Sequence, residues 1–295
     1  MMSNEAPAPR ALVSPIDELR GESGMFTMVA VDQRDSLRAM LRPAAGASAS
    51  DEQLIGFKRD VARTLSTRSS ALLLDQQYGE VAAEAASCPV ILAADVLSAS
   101  RPGGPVDTAT IDESVAEETV ARFGARALKM LVPWLPDARS EAIDLSQRFL
   151  EVSRRLGLPG IVEGVVRPHD IAEWSSERRA EAIVEAARDL GSTKPDLYKG
   201  EVVYSSDDDA RIATTAAREI TSILEVPWVV LSAGVKPANF PSALASACAG
   251  GASGFLAGRA VWGPSASAED PASDLALAGL SALETLIDVA KEAAQ

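Results

Sequence analysis

Asp196-Leu197-Tyr198-Lys199-Gly200-Glu201-Val202-Val203 is an apolar, strand-like run with a lysine near its centre. A strand core is an unfavourable place for an ammonium, because losing its water disfavours the charged form. A lysine held there is either paired with a carboxylate or kept partly neutral. A neutral amine is a nucleophile that can form a Schiff base with a carbonyl compound. Two further runs carry the same misfit. Lys129 lies in Ala127-Leu128-Lys129-Met130-Leu131-Val132, and Glu163 in Gly160-Ile161-Val162-Glu163-Gly164-Val165-Val166. Three charged groups in three apolar strands point to one shared polar site.

Outward from these runs the chain alternates. Val/Ile/Leu-rich segments predict strands at 26–33, 71–76, 89–95, 127–134, 160–167, 196–202, 227–234 and 251–259. Ala/Glu/Arg-rich stretches with helical periodicity lie between most of them, as at 115–123, 141–156 and 177–190. Gly124, Gly157 and Gly191 follow those helices as C-terminal caps. Strand–helix alternation implies a parallel sheet, and eight such units in about 250 residues fit a closed α/β (β/α)8 TIM barrel. An open doubly wound sheet would need a phosphate-binding glycine fingerprint after its first strand, and Asp32-Gln33-Arg34-Asp35 is not one. The expected organisation is a flexible tail over 1–20 and a single barrel over 21–295. Two longer connections, 99–110 and 167–176, are expected as loops over the site.

Composition narrows the function. The chain has 295 residues, 47% of them hydrophobic, enough for one large core. A net charge of −14 argues against nucleic acid and anionic membrane surfaces as partners. Any cationic binding site must be local. Cys88 and Cys248 have no metal-ligand spacing, and His169 is the sole histidine, so a zinc site built from several His and Cys ligands is excluded. No metal or organic cofactor is expected. The Ala/Pro-rich start lacks the apolar segment of a signal peptide, and no apolar run approaches the ~20 residues of a membrane span. A cytoplasmic protein acting on a small molecule is the expectation, and barrels of this kind often self-associate, so a homo-oligomer is too.

Strand alternation places Lys199 on a face with Leu197 and Glu201, Glu163 with Ile161 and Val165, and Asp32 with Ala30 and Arg34. If Lys199, Glu163, Lys129 and Asp32 all point inward, they line one cavity. Lys199 is the candidate nucleophile, with Lys129 nearby disfavouring its protonated form. The competing reading is a structural lysine bridged to Glu201. Glu163 suits proton transfer, or is a plain ion pair with a lysine. Asp32 can bond substrate hydroxyls, balance the lysines, or position a loop. A second signal lies in Leu231-Ser232-Ala233-Gly234 and Phe255-Leu256-Ala257-Gly258-Arg259. Ser232, Gly234 and Gly258 leave backbone N–H groups open at the last two strand ends, where barrels bind phosphate, and Arg259 adds a fork of donors. Gln33, Arg34, Gln76, Gln77 and Arg167 sit at other strand ends and can read a second anion or hydroxyls, with ordinary loop polarity as the alternative. His169 reads as a loop residue and Asp207-Asp208-Asp209 as a solvated helix start. Trp134, Trp174, Trp228 and Trp262 read as packing residues.

With these residues in place, the chain resembles the class I tagatose-bisphosphate aldolase family, and within it the sulfoglycolytic branch of 6-deoxy-6-sulfofructose-1-phosphate aldolases. The resemblance is densest in Ala30-Val31-Asp32-Gln33-Arg34, Leu74-Asp75-Gln76-Gln77, Leu128-Lys129-Met130-Leu131-Val132, Val165-Val166-Arg167-Pro168, Asp196-Leu197-Tyr198-Lys199, Leu231-Ser232-Ala233-Gly234-Val235 and Ala252-Ser253-Gly254-Phe255-Leu256-Ala257-Gly258-Arg259-Ala260-Val261-Trp262. It implies that Lys199 forms the imine, Glu163 is the acid/base, and Lys129 and Asp32 complete the polar core. It further implies cleavage of a ketose 1-phosphate to dihydroxyacetone phosphate and 3-sulfolactaldehyde. Tagatose 1,6-bisphosphate cleavage and a non-catalytic sugar-phosphate-binding barrel are the alternatives. The chain departs from that branch at Gly164, Gly200 and Val203, where a proline, a larger apolar residue and a second proline are expected.

Overall fold

Side-chain alternation sorts the strands of the computed structural model into two faces. One face builds an inner cluster that includes Met28, Ala30, Leu73, Ile91, Ala127, Ile161, Leu197, Val229 and Leu256. The other, including Val29, Leu72, Leu92, Leu128, Val162, Tyr198 and Val230, packs against helices. One buried face packs on helices and the other packs strand against strand inside a closed sheet, which is the barrel expected from the sequence. The structure describes residues 14–41, 48–101, 105–167, 174–203, 210–232 and 234–294. His169 and Asp207-Asp208-Asp209 lie outside them.

Eight parallel strands close the barrel: β1 (Phe26–Ala30), β2 (Leu72–Leu74), β3 (Val90–Ala93), β6 (Ala125–Trp134), β7 (Gly160–Val166), β8 (Leu197–Glu201), β9 (Trp228–Leu231) and β10 (Gly254–Ala257), with β10 pairing back to β1. The intervening β4 (Asp95–Ser98) and β5 (Thr108–Ile111) form an antiparallel hairpin after β3. Of the span 99–110 expected as a loop, Thr108-Ala109-Thr110 belong to β5. Helices α1 (Asp35–Met40), α2 (Asp51–Leu65), α3 (Glu80–Ala85), α4 (Glu117–Phe123), α5 (Arg139–Arg155), α6 (Ser176–Gly191), α7 (Ala210–Ile223), α8 (Phe240–Ala249), α9 (Arg259–Ala266), α10 (Pro271–Asp274) and α11 (Leu280–Ala293) follow in order. Of the span 1–20 expected as a tail, residues 1–13 lie outside the described residues. Pro15–Leu19 is a 3-10 turn, and its Ile16 and Leu19 are buried in the inner cluster. Gly124 and Gly157 cap their helices at φ +57° and +69°, whereas Gly191 is the last residue of α6. No helix among the described residues is long and apolar enough to cross a membrane.

The departures at Gly164 and Gly200 share one cause. Tyr198, 1% exposed, lies across both on the outer face. A methyl on Gly164 would collide with the Tyr198 hydroxyl and meet Leu190 Cδ1 at 2.9 Å, and one on Gly200 would meet the Tyr198 ring at 3.0 Å. Nothing in the structure explains Val203.

Candidate active site

Above the apolar inner layer, the inward strand positions turn charged. Asp32 follows β1, Asp95 opens the hairpin after β3, Lys129 lies on β6, Glu163 on β7 and Lys199 on β8. Register brings them level, with Ala93 beside Lys129 and Glu163 directly opposite Lys199. Lys129 Nζ lies 2.9 Å from Asp32 Oδ2, 3.2 Å from Asp95 Oδ2 and 2.7 Å from Glu163 Oε2. Lys199 Nζ lies 3.0 Å from the same Glu163 oxygen. The four expected site residues therefore form one connected cluster. Lys199 is paired to Glu163 and not to Glu201, whose carboxylate takes Arg179 at 2.9 Å and the Val166 N–H at 2.7 Å.

Burial and charge compete at each group. Burial alone would raise the Asp32 pKa, but Lys129 and then Lys199 outweigh it and hold the carboxyl well below its usual range. Glu163 is lowered in the same way: burial opposes, Lys129 and Lys199 prevail. Burial would strip the proton from Lys129, yet Asp32, Asp95 and Glu163 hold its pKa far above the ordinary lysine value. Asp95 differs, because burial raises its pKa despite Lys129. The result is a fixed ammonium at Lys129 and ionised carboxylates at Asp32 and Glu163. Lys199 is the less encumbered of the two amines, having one carboxylate partner where Lys129 has three.

The rim is less uniform. Ser232 is buried at the end of β9, and Gly234 takes φ +80° in the following turn. Gly258 ends β10 so close to β1 that a methyl would meet the Ala30 carbonyl at 2.5 Å and Gln33 Nε2 at 3.2 Å. Arg259 opens α9 and is exposed. Since β9, β10 and β1 are neighbours, Ser232, Gly258 and Arg259 share one side of the mouth. Arg34 and Arg167 are committed elsewhere. Arg34 donates to the Asp95 carbonyl at 2.9 Å and lies 3.8 Å from Asp75 and 3.6 Å from the Asp95 carboxylate. Arg167 donates to the carbonyls of Val106 and Val166, and burial lowers its pKa. Gln76 donates to Ser114 at 2.6 Å. The side-chain oxygens of Gln33 and Gln76, and Asp95 Oδ1, are buried without a hydrogen-bond partner among the described residues. Buried unsatisfied oxygens are unusual, and here three flank the charged layer, where donors of a polyhydroxy ligand could reach them. An open groove of about 530 Å³ between α6 and α7, lined by Val184, Ile212 and Ala216, contains none of these residues.

Sequence reasoning missed Asp95 and the buried pair of Lys58 on α2 with Asp75 after β2. Both left a signal. Asp95 continues the inward series Ile91, Ala93, and Lys58 occupies an apolar position between Leu54 and Val61.

Three aldolases are similar to this chain in sequence or in fold. A tagatose 1,6-diphosphate aldolase of Listeria monocytogenes serotype 4a (strain HCC23) is 27% identical over 280 residues, covering 84% of this chain and 80% of that protein. Tagatose 1,6-diphosphate aldolase 2 of Enterococcus faecalis (strain ATCC 700802 / V583) is 28% identical over 277 residues, covering 84% and 82%. An archaeal fructose-1,6-bisphosphate aldolase, solved with its catalytic Lys covalently bound to the carbinolamine intermediate of the substrate, superposes with a TM-score of 0.63 at 17% identity, covering 94% of this chain and 98% of that one. That likeness establishes the barrel. Residues 26–263 match the model of the DeoC/LacD family aldolases. The match begins at the first residue of β1 and ends beyond β10, so it spans every strand that carries the charged layer: the chain belongs to the DeoC/LacD aldolase family.

Proposed function

We propose that this aldolase works through a Schiff base on Lys199 and cleaves 6-deoxy-6-sulfofructose 1-phosphate to dihydroxyacetone phosphate and 3-sulfolactaldehyde. The observation that carries the mechanism is the sharing of one Glu163 oxygen by Lys199 and Lys129 inside the closed barrel. Lys129 is held as a cation by three carboxylates, which leaves Lys199 to act as the amine.

The Lys199 amine attacks the C2 ketone, and loss of water gives an iminium. A base removes the proton of the C4 hydroxyl, the C3–C4 bond breaks, and its electron pair enters the iminium to give an enamine. Glu163, ionised and in contact with Lys199 Nζ, is the group placed to relay these protons. The aldehyde departs, C3 is protonated, and water hydrolyses the imine to dihydroxyacetone phosphate and free Lys199. The imine itself is the electron sink. Ser232, Gly234, Gly258 and Arg259 hold one anionic terminus.

Charge at the mouth favours the sulfonate at the other terminus. A phosphate monoester carries nearly two negative charges at pH 7, a sulfonate one. Among the candidate rim arginines, Arg34 and Arg167 are already bound to backbone carbonyls, while Arg259 is exposed. The second reading, tagatose 1,6-bisphosphate, is favoured by the names of the relatives at 27% and 28% identity. Borohydride trapping with dihydroxyacetone phosphate, read by peptide mapping, tests the mechanism: an adduct on Lys199 is expected, and none on folded, saturated protein overturns it. Comparing kcat/KM for the two sugars then decides the substrate. A higher value on tagatose 1,6-bisphosphate would replace the sulfosugar.

A further inference from the structure

Lys58 is charged, completely buried and unused by the reaction above. It lies on the buried face of α2 with Leu54, Phe57 and Val61. The helix start is fixed by a reciprocal cap between Ser50 and Gln53. Three acceptors surround the ammonium: the Val31 carbonyl at 2.6 Å, the Gln33 carbonyl at 2.8 Å, and the Asp75 carboxylate. An ammonium has three N–H donors, so none is left over. Two of the three go to the peptide carbonyls on either side of Asp32.

That segment needs outside support. β1 ends at Ala30, and the Val31 N–H still reaches the Leu73 carbonyl at 2.9 Å. Around that point three carbonyls are held by helix side chains. Trp262 Nε1 of α9 donates to Ala30 O at 2.7 Å, and Lys58 of α2 takes Val31 O and Gln33 O. The Val31 carbonyl lies in the peptide that enters Asp32 and the Gln33 carbonyl in the peptide one residue further on, so Lys58 pins the chain on both sides of Asp32-Gln33 and with it the direction of the Asp32 Cβ. Asp75 is anchored in turn by the Tyr78 N–H at 2.9 Å. We propose that Lys58, clasping the Val31 and Gln33 carbonyls while paired to Asp75, is a positioning residue that fixes the Asp32 carboxylate against Lys129 and so sets the rate of bond cleavage. This rests on the reading of Asp32 as part of the reacting site.

The test is a cycle of K58M/D75N, D32N and the triple variant K58M/D75N/D32N, assayed on the better of the two sugars named above. The paired change is used because K58M alone would strand the Asp75 carboxylate in the interior. K58M/D75N should melt cooperatively, form the borohydride adduct on Lys199 as the parent does, and lose about 100-fold in kcat, the size expected for a misplacement near 1 Å. KM should stay within about threefold, because substrate binding is not what Lys58 serves. In the triple variant the losses should not multiply: once Asp32 is mispositioned, removing its charge has little left to remove. Parent-like kcat in K58M/D75N, or losses that multiply in the triple variant, would overturn the proposal and leave Lys58 as a brace for α2. Parent-like kcat in D32N would instead remove Asp32 from the reacting site, and the proposal with it. Should K58M/D75N lack a cooperative melt, K58Q/D75N carries the same cycle, since its amide can still donate to one of the two carbonyls and no carboxylate is stranded. Non-additivity with D32N is again the expected result and additivity the overturning one.

Discussion

Lys58 and Lys129 are both fully buried lysines, each with three oxygen neighbours. Their shells differ in charge. Lys58 has one carboxylate and two neutral carbonyls, so the group is balanced and burial still pulls its pKa down. Lys129 has three carboxylates, and its pKa is driven up. A balanced shell has no appetite for another charge. The Lys129 shell carries more negative charge than Lys129 neutralises, and its Glu163 oxygen faces Lys199. In the proposed Schiff-base reaction the protonated imine on Lys199 Nζ would be a cation beside that carboxylate oxygen, which would favour keeping its proton. On that proposal the electrostatics of the cage would stabilise the intermediate on which bond cleavage depends.

The largest expected effect comes from removing the cation at the centre of this shell. K129M leaves three buried carboxylates with Lys199 as their remaining close lysine. Stranding a buried charge costs about 3–5 kcal/mol, and K129M should lose stability on that order in a chemical melt. Its kcat should fall by about 1,000-fold, near the upper range for losing one preorganised electrostatic group. A K129M protein as active as K58M/D75N would show that the two lysines do the same job. E163Q comes next. It keeps the shape but removes the proton relay and the carboxylate partner of Lys199, so kcat should fall by about 100-fold or more and the thermal midpoint should drop as well. An E163Q enzyme with normal turnover would move the acid/base function to another group.

The difference between the lysines also governs how much of the site was legible. Lys129, Glu163 and Lys199 stand out because a charge inside a Val/Ile/Leu run violates period-2 burial. Asp32 was found from its place at the end of such a run. Asp95 sits where a strand run stops, and an acidic residue there reads as ordinary punctuation, although its parity with Ile91 and Ala93 gave its direction. Lys58 was hidden by helix amphipathicity. Its helix has enough other polar residues that one lysine at an apolar position looks like noise until α2 is docked on the barrel. The rim arginines show the opposite failure. Arg34 and Arg167 look available for a substrate in sequence, but local carbonyls claim them, and carbonyl geometry is set by tertiary structure. Strand ends were overextended for the same reason, since residues such as Asp32 and Gln33 keep an extended pattern after their ladder partners have gone.

A smaller effect tests the β1 side of the site, where Lys58 acts. G258A introduces a methyl 2.5 Å from the Ala30 carbonyl, a backbone atom that cannot swing away. Overpacking of this kind costs about 1–3 kcal/mol and should shift the strand end that carries Asp32. G234A provides the contrast. Its methyl would meet nothing within 4 Å, so its penalty comes from φ +80° alone, about 1 kcal/mol. G258A should therefore reduce kcat as well as stability, while G234A should chiefly raise KM for the anionic terminus.

The smallest effect separates the two lysines by the sign of their response to alkali. Lys58 has a lowered folded pKa, so the fold disfavours its charged form. Stability from this group rises as pH climbs through that lowered value, and the change is complete at the unfolded lysine value near 10.4. Lys129 has a raised folded pKa, so its contribution is fully present below about 10.4 and is lost as pH climbs beyond it toward the folded value. The thermal midpoint of the parent protein should therefore hold or rise slightly toward about pH 10 and fall above about 10.4. K129M should lack the part of the fall that Lys129 causes, and K58M/D75N should lack the rise. If both variants follow the parent curve, other groups control the alkaline limb, and the charge contrast between the two shells does not reach the stability of the fold.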